Sequence, residues 1–403
     1  MAGKILAPLG LLGLLLAVPY FVGYLSFANG LLPLVDDIWA AGRFPDGTPL
    51  RTRWLGGPPK LDELLSKLVV FFWPVAAFQH PGLFLHSLAF SGTFAAGWTL
   101  VTLETWRAGN AWTLSGFSVH LGLLAQVLTF AFATPVYGLL HLLTGRTASA
   151  PSRASMHIPY AVLAAFPLVF FVGNTVPSVA MVLPFSAHNT VAVKQLLTAL
   201  WQPWPAYTAF GLSAAHLVLG SSGLGLLTAG DRPTPEGRGR AAAALRLIYA
   251  IAFGNAAVSH LAAATVTLGT VLAPKIFHPD YAVSLHPLKV LETVLPWAPN
   301  PVAQIRALGD GVNIFLRWDY LLGSTSLLLW ASVLHLRARA YYHKTAAAAA
   351  AAGSVPALPF LAKVAALYAV VGPAAAAVEL MWEREELVLQ SDDKTPTTTK
   401  KKN

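Results

Sequence analysis

Three carboxylic acids lie inside long apolar stretches of this 403-residue sequence, at Glu104, Asp319 and Glu379. An ionisable side chain in such a stretch is energetically expensive, so each acid is first of all a candidate for chemistry. A carboxylic acid shielded from water can act as a general acid towards a bound substrate. The neighbours of each acid also allow a structural interpretation.

Arg107 follows Glu104 at a spacing that places both side chains on one face of a helix. Glu104 is therefore either a catalytic acid or half of an ion pair that anchors a helix end. Asp319 lies near the start of a predicted helix, where the helix dipole favours an acid, but large aromatic residues flank it. Function and structure stay open for both residues. Glu379 opens an acidic run that is typical of a solvated helix end.

The aromatic residues, 12 Trp, 11 Tyr and 21 Phe, suggest what an acid could do here. Many of them are typical of membrane interfaces. A subset placed around an acid would suit one reaction, because protonation of an alkene or an epoxide creates a carbocation and ring faces stabilise cations. Acid-initiated chemistry on an apolar substrate is thus one candidate function.

Several other kinds of site are absent from the sequence. The chain has no cysteine, which excludes disulfides, thiolate metal sites and cysteine nucleophiles. No histidine pair has metal-ligand spacing, and there is no phosphate-binding loop, dinucleotide fingerprint or aspartate-rich magnesium-diphosphate motif. We therefore expect neither a metal nor a cofactor. The net charge of +9 fits the basic loops of a membrane protein better than nucleic-acid binding.

The elements that would position these residues are membrane helices. Hydrophobic residues make up 55% of the chain and charged residues only 11%, far below the usual charged share of a soluble domain. We predict an all-α, polytopic transmembrane helix bundle with about eight or nine spans. The candidate spans are 5–27, 64–79, 83–107, 113–144, 157–184, 205–228, 242–272, 311–336 and 356–380.

The predicted organisation is a single transmembrane domain over residues 1–390, followed by a disordered Lys/Thr-rich tail at 391–403. The second candidate span is short and ends at His80-Pro81-Gly82, which indicates a broken or re-entrant helix. The polar loop at 28–63 is long enough to form a lid. An alanine tract at 346–352 is a helical spacer or simple low complexity.

Basic residues predict which side of the membrane each loop faces. The connectors after the fourth, sixth and eighth candidate spans are rich in arginine, so we expect them in the cytosol. The C-terminal Lys400-Lys401-Lys402-Asn403 resembles an endoplasmic-reticulum retrieval signal, which also acts in the cytosol. Nine full spans would place it on the opposite side, so the two observations conflict.

Counting connectors also predicts that the candidate site residues converge. The third span ends, and the eighth begins, on the same side if every intervening candidate crosses once. Asn174, Trp201 and Gln202 belong to that side by the same count. We therefore expect Glu104, Asp319 and these residues to line one cavity that opens on the non-cytoplasmic half.

Short motifs in this sequence resemble a known family. They are Gly97-Trp98 through Glu104, Arg107 and Asn110, then Trp201-Gln202-Pro203, then Trp318-Asp319 with Gly323-Ser324. The group consists of fungal integral-membrane type II terpene cyclases of meroterpenoid clusters, of the ascofuranone and macrophorin kind. The resemblance covers roughly residues 65–335.

The resemblance implies a metal-independent, protonation-initiated cyclase of prenyl or epoxyprenyl chains, located in the endoplasmic reticulum. Glu104 and Asp319 become the candidate acids, with Asp319 favoured as the donor. Arg107 and Asn110 would orient the acid, and Asn174 and Gln202 the substrate. Trp201 and Trp318 would shape the chain and bear cationic charge. A lipophilic substrate would enter from the bilayer.

Two other classes of function stay open at this level. A membrane transporter or scaffold would need a polar path through the bilayer, whereas the polar positions cluster towards one side. A lipid-modifying hydrolase or isomerase could use the same acids. The substrate, the ring pattern and the oligomeric state do not follow from the sequence.

Overall fold

The computed structural model describes residues 2–54, 56, 58–116, 118–221, 228–292, 304–343 and 357–391. Within these ranges all regular structure is helical, and a single isolated bridge joins Arg43 to Pro49. The predicted all-α helix bundle is confirmed. The alanine tract at 346–352 and the tail at 391–403, except Ser391, lie outside the described residues.

Fourteen of the described α-helices are numbered α1 to α14 in chain order. They are α1 Ala2–Val18, α2 Leu31–Ala41, α3 Pro59–Ala76, α4 Pro81–Trp106, α5 Ser118–Leu128, α6 Phe130–Thr144, α7 Tyr160–Phe170, α8 Val176–Met181, α9 Val191–Trp201, α10 Trp204–Ser221, α11 Pro235–Leu272, α12 Leu308–His343, α13 Ala357–Val371 and α14 Pro373–Ser391. The short helices are Leu25–Ala28, Arg146–Ser149, Arg153–Met156, Pro279–Ser284 and Pro287–Glu292.

Four segments of the described chain are long and apolar enough to cross a membrane without interruption. They are Ile5–Ala28, Arg153–Met181, Pro235–Leu272 and Leu308–Tyr342. The helices α3 and α4 pass the same test only together, and they are bent by 107° at the break between them. The predicted break at His80-Pro81-Gly82 is therefore confirmed, because Pro81 begins α4 and the His80 ring accepts the Leu83 N–H at 3.0 Å.

The bundle is organised around α4 and α12, which run parallel. Near their starts the ring of His80 lies 3.2 Å from an Asp310 carboxylate oxygen, and further along Gly97 packs against Leu327. Parallel orientation means that an odd number of crossings separates the two helices. The end of α4, and with it Glu104, therefore lies at the opposite end of the bundle from the start of α12.

The prediction of a single span at 113–144 is wrong. This error changes whether an even or an odd number of crossings separates α4 from α12. The segment forms α5 and α6, which turn back on each other at Thr129, where the backbone φ is 92°. Ser115, before α5, accepts a hydrogen bond from Thr105 near the end of α4, and Tyr137 of α6 donates to Val101 O. Both ends of this hairpin thus lie on the side where α4 ends, and the segment does not cross.

The predicted span at 356–380 is a second hairpin. It consists of α13 and α14, joined at Gly372, whose φ of 87° is readily adopted by glycine. Lys363 of α13 pairs with Glu383 of α14, so the two helices lie side by side. The chain at Ser391 therefore returns to the end of the bundle where the connectors at 145–156 and 229–241 lie. Lys400-Lys401-Lys402-Asn403 lies outside the described residues.

The segment 28–63, predicted to form a lid, lies at the end of the bundle where α12 begins, since Gln304 donates to Ala28 O at 2.8 Å. It contains α2 and a tight turn, and the backbone N–H of Arg51 donates to Gln195 Oε1 of α9 at 2.7 Å. Its function as a lid stays a prediction.

This topology predicts the labelling of cysteines introduced into the natively cysteine-free chain. Cysteines placed at Ser149, Gly239 and Gln390 should react together with a membrane-impermeant maleimide from the cytosolic side of sealed microsomes. Cysteines placed at His188 and Asp280 should react only after the membrane is permeabilised. Labelling of position 390 with the second group would contradict the α13–α14 hairpin, and the unmodified chain is the blank.

Candidate active site

The carboxylate of Glu104 is fully buried and held by four neighbours. Arg384 donates to Oε1 at 2.7 Å, and Arg107 Nε lies 3.4 Å from the same oxygen. Thr147 donates to Oε2 at 2.7 Å, and His141 Nε2 lies 3.3 Å from it. All four neighbours are buried, so this carboxylate is enclosed by protein on every described side.

Arg107 extends the network to a second acid. Its guanidinium pairs with the buried carboxylate of Glu385 and donates to Met156 O at 2.6 Å and to the Tyr249 hydroxyl at 3.3 Å. Two arginines thus face two glutamates, and their formal charges cancel. A buried charge without a partner costs several kcal/mol, so each member depends on the others.

The protonation of His141 follows from its partners. Trp330 Nε1, which can only donate, lies 3.0 Å from His141 Nδ1. Nδ1 must therefore accept, which leaves the proton of a neutral imidazole on Nε2, facing Glu104. Asn110 completes the surroundings, because its Nδ2 donates to Glu104 O at 2.8 Å and to Thr147 Oγ1 at 2.9 Å.

Asp319 lies in a different environment. It is 5% exposed, and its Oδ1 accepts the backbone N–H of Ala131 at 2.6 Å, at the start of α6. Among the residues that the structure describes, no Lys, Arg or His side chain forms an ion pair with it. The first turn of α6 is therefore its main polar contact.

Asp319 opens into a small, mostly apolar cavity of about 100 Å³. Its walls are Phe72, Val75, Ser87, Phe90, Ser91, Phe94, Ala125, Gln126, Phe130, Met181, Trp201 and Leu316. Two buried polar atoms of this lining, Gln126 Nε2 and Ser87 Oγ, have no hydrogen-bond partner within the described residues. The cavity thus combines an acid, five aromatic rings and two polar atoms available to a ligand.

A buried lysine joins two of the helices that line this cavity. Lys194 of α9 donates at 2.5 Å to Ala76 O and to Leu183 O. Ala76 is the final residue of α3. Helix ends leave carbonyl groups without intrahelical partners, and this ammonium satisfies one of them. It therefore fixes α3, with Phe72, against α9, with Trp201.

The predicted common cavity for Glu104 and Asp319 is wrong. Asp319 contacts Ala131 at the start of α6, whereas Glu104 contacts His141 near its end. Ten residues of helix separate these contacts, or about 15 Å. The prediction failed because the α5–α6 hairpin changes the number of crossings between α4 and α12.

The other predicted residues are divided among several places. Trp201 lines the Asp319 cavity. Trp318 does not, since its ring stacks on Phe21, in the π-helical turn that follows α1, with centroids 4.1 Å apart. Gln202 is buried and donates to Thr198 O at 3.4 Å, outside the cavity. Asn174 lines a separate cavity between α4, α7 and α11.

The C-terminal helix contributes two charged residues that were not predicted from the sequence. The run containing Arg384 and Glu385 was interpreted as a solvated helix end, yet both side chains are at most 3% exposed. An arginine between glutamates at the end of an apolar segment was the available signal. Glu104, the partner of Arg384, lies 280 residues earlier in the chain, so no local sequence pattern could reveal this pair.

The charge network predicts a large difference between two arginines. Arg384→Met should lower the free energy of unfolding by about 3–5 kcal/mol, because it leaves Glu104 partly unpaired. Arg246→Met removes the half-exposed pair with Glu386 and should cost about 1 kcal/mol or less. Unfolding in detergent, followed by denaturant titration, measures both. Equal losses in the free energy of unfolding would contradict a larger contribution from the buried network.

Comparison with known proteins places the chain in a family. A family model described as the CtvD domain matches residues 7–389. The terpene cyclase ctvD of Aspergillus terreus is 29% identical over 369 residues, which cover 90% of this chain and 93% of that protein. The terpene cyclase ascI of Acremonium egyptiacum is 28% identical over 400 residues, covering 98% and 94%.

A third relative, the terpene cyclase penA of Penicillium crustosum, is 30% identical over 313 residues, which cover 76% of this chain and 78% of that protein. No solved structure matches the chain. The resemblance to fungal terpene cyclases noted in the sequence is therefore confirmed, and the chain belongs to the CtvD family.

Proposed function

We propose that this chain is a membrane-bound terpene cyclase in which Asp319 starts the cyclisation of a prenyl or epoxyprenyl chain by donating a proton. The substrate would be a meroterpenoid of fungal secondary metabolism, and the enzyme would work in the endoplasmic reticulum without a metal. One observation carries the proposal: the Asp319 carboxyl group faces an aromatic cavity with no described cationic partner. The names of the relatives support the class of reaction.

The reaction begins at the carboxyl group. The acid proton moves to the oxygen of an epoxide, or to a terminal alkene carbon, and leaves a carbocation on the substrate. Electron pairs of successive double bonds then close the rings, and the last cation loses a proton. The product therefore has the same mass as the substrate, whereas hydrolysis would add a water molecule.

The cavity supplies two kinds of stabilisation. The faces of Phe90, Phe94, Phe130 and Trp201 can stabilise cationic charge as it moves along the chain. The Ala131 N–H, aimed at Oδ1, can stabilise the carboxylate that remains after the proton has left. Both contributions grow as charge develops, which is what lowers a reaction barrier.

Glu104 has a different part in this proposal. Two guanidinium groups balance its carboxylate, and about 15 Å of helix separates its contact with α6 from that of Asp319. Arg107 and Asn110 orient Glu104 within the network rather than towards a substrate. We therefore assign the proton donation to Asp319 and a positioning function to Glu104.

Two unpaired polar atoms favour an oxygen at the reacting end of the substrate. Gln126 Nε2 and Ser87 Oγ are buried beside Asp319 and lack partners in the described structure. A hydrocarbon would leave both atoms unsatisfied, at a cost typical of buried polar groups. An epoxide oxygen could accept a hydrogen bond from each of them.

The first prediction concerns the acid itself. Asp319→Asn keeps the shape of the side chain but cannot donate an acidic proton, so turnover of an epoxyfarnesyl phenol should fall by at least about 10². Asp310→Asn, on the same helix but paired with His80, is the matched control and should keep its turnover. Product mass and retention time are measured at equal membrane expression. Turnover of Asp319→Asn within about threefold of wild type would refute the assignment.

The second prediction concerns the oxygen. In the double variant Gln126→Leu, Ser87→Ala, the rate for the epoxide should fall about tenfold relative to that for the matching alkene. Ser91→Ala is the control, because Ser91 lines the same cavity but already donates to Leu88 O at 2.9 Å. An unchanged epoxide-to-alkene ratio in the double variant would contradict this part of the proposal.

A further inference from the structure

A second cavity lies beside the Asp319 cavity, behind a partition of aromatic rings. Its volume is about 220 Å³, and α4, α7 and α11 form its walls. The rings of Phe94, Trp204 and Phe170 form the partition, with neighbouring centroids 5.3 and 6.0 Å apart. Phe94 lines the Asp319 cavity and Phe170 lines the second cavity. The two spaces are therefore neighbours that share one side of α4.

Two asparagines of this second cavity have free carboxamides. Asn174 is 8% exposed, whereas Asn255 lies at the exposed edge of the cavity, and neither forms a side-chain hydrogen bond with any residue that the structure describes. The Thr99 hydroxyl in the same wall, in contrast, donates to Ala95 O at 2.9 Å. An unpaired carboxamide within a membrane segment is costly, so two in one cavity indicate a ligand.

The backbone around Asn174 points the same way. Residues Phe171–Thr175 form a π-helical turn between α7 and α8. Such turns interrupt the regular hydrogen bonding of an α-helix and are frequently found at functional sites. Here the turn coincides with one of the two free carboxamides.

The lining determines the chemistry of the ligand. No Asp, Glu, Lys, Arg or His stands among the described residues that line the cavity, so a charged group would find no counter-charge. Each carboxamide can donate through nitrogen and accept through oxygen, which suits a hydroxyl or carbonyl group. Phe166, Phe170 and Ile248 supply apolar surface around it. The site therefore fits the head of a neutral amphiphile.

We propose that this cavity binds the hydroxyl- or carbonyl-bearing head of the substrate whose prenyl chain reacts at Asp319. This assignment rests on the proposed cyclase function. Asn174 in one cavity and Met181 in the other are seven residues apart on the α7–α8 segment, or about 10 Å. A head held at Asn174 thereby determines which part of the chain reaches the acid.

Hydrogen bonds also connect the two cavities through Ser178. Trp201, in the wall of the Asp319 cavity, donates to Ser178 Oγ at 2.9 Å, and Ser178 donates to Asn174 O at 2.8 Å. The walls of the head site and of the reacting site are thus connected by two hydrogen bonds.

The test compares two substrates in variants of the head site. Asn174→Leu and Asn255→Leu should each raise the KM of an epoxyfarnesyl phenol about five- to tenfold and leave kcat unchanged. The analogue without the phenol hydroxyl should have the same KM in the wild type and in both variants. Asn313→Leu is the control, since Asn313 is also a buried asparagine but lines neither cavity. In Asn313→Leu, the ratio of the KM values for the two substrates should equal that of the wild type.

A binding measurement separates this inference from the cyclase proposal. Equilibrium binding of the phenol to Asp319→Asn protein should weaken about five- to tenfold when Asn174→Leu is added, whether or not Asp319 is the acid. Equal affinities of the Asp319→Asn protein with and without Asn174→Leu would overturn the assignment of the head site. Native mass spectrometry tests the other source of such a head, a membrane sterol. A bound sterol that Asn174→Leu removes, with KM unchanged, would also overturn the assignment to the substrate.

Discussion

A carboxylate buried between membrane helices must be neutralised by the protein itself, and the arrangement of this bundle depends on how Glu104 meets that requirement. Its partners come from widely separated parts of the chain: Arg107 follows it directly, Thr147 lies beyond α6, and Arg384 belongs to the last helix. Glu385 then balances the second guanidinium. Loss of one charge would leave another uncompensated, so the C-terminal helix is bound to α4 by electrostatics as well as by packing.

The helix α6 connects this network to the reacting site. One of its ends contacts Glu104 through His141, and the other donates a backbone N–H to Asp319. The two acids are thereby given opposite environments. Glu104 is surrounded by two arginines, an imidazole and a hydroxyl group, whereas Asp319 has a helix start on one side and aromatic rings on the other. Environments of this kind let two carboxyl groups of one protein perform different tasks.

The apolar spans, the break before α4 and the Glu104–Arg107 pair could be predicted, because each has a local pattern in the sequence. The turn at Thr129 could not, since neither glycine nor proline stands there and 113–144 forms one continuous apolar stretch. Gly372-Pro373 was visible but lay inside a stretch of sufficient length for a span. The first hairpin lies between Glu104 and Asp319 and changes the number of crossings that separate them, so their predicted convergence failed; the second changes only the side on which the chain reaches Ser391.

The candidate site shows the same division between local and distant information. Asp319 and Trp201 were found from residue type and context, and they do line one cavity. The side on which a residue of a helix points was harder to predict. Trp318, the immediate neighbour of Asp319, faces Phe21 instead of the cavity, because successive residues on a helix point about 100° apart. The partners that decide such directions belong to other segments.

The double attachment of α6 also constrains how this family can vary in length. Ala131 and His141 must each keep their contact, so the ten residues between them act as a spacer of fixed size and phase. Insertion or deletion of one residue would rotate one end by about 100° relative to the other and separate either Asp319 or Glu104 from its partner. Substitutions can accumulate along this helix, but gaps cannot, and an alignment of functional relatives should be free of gaps between these two positions.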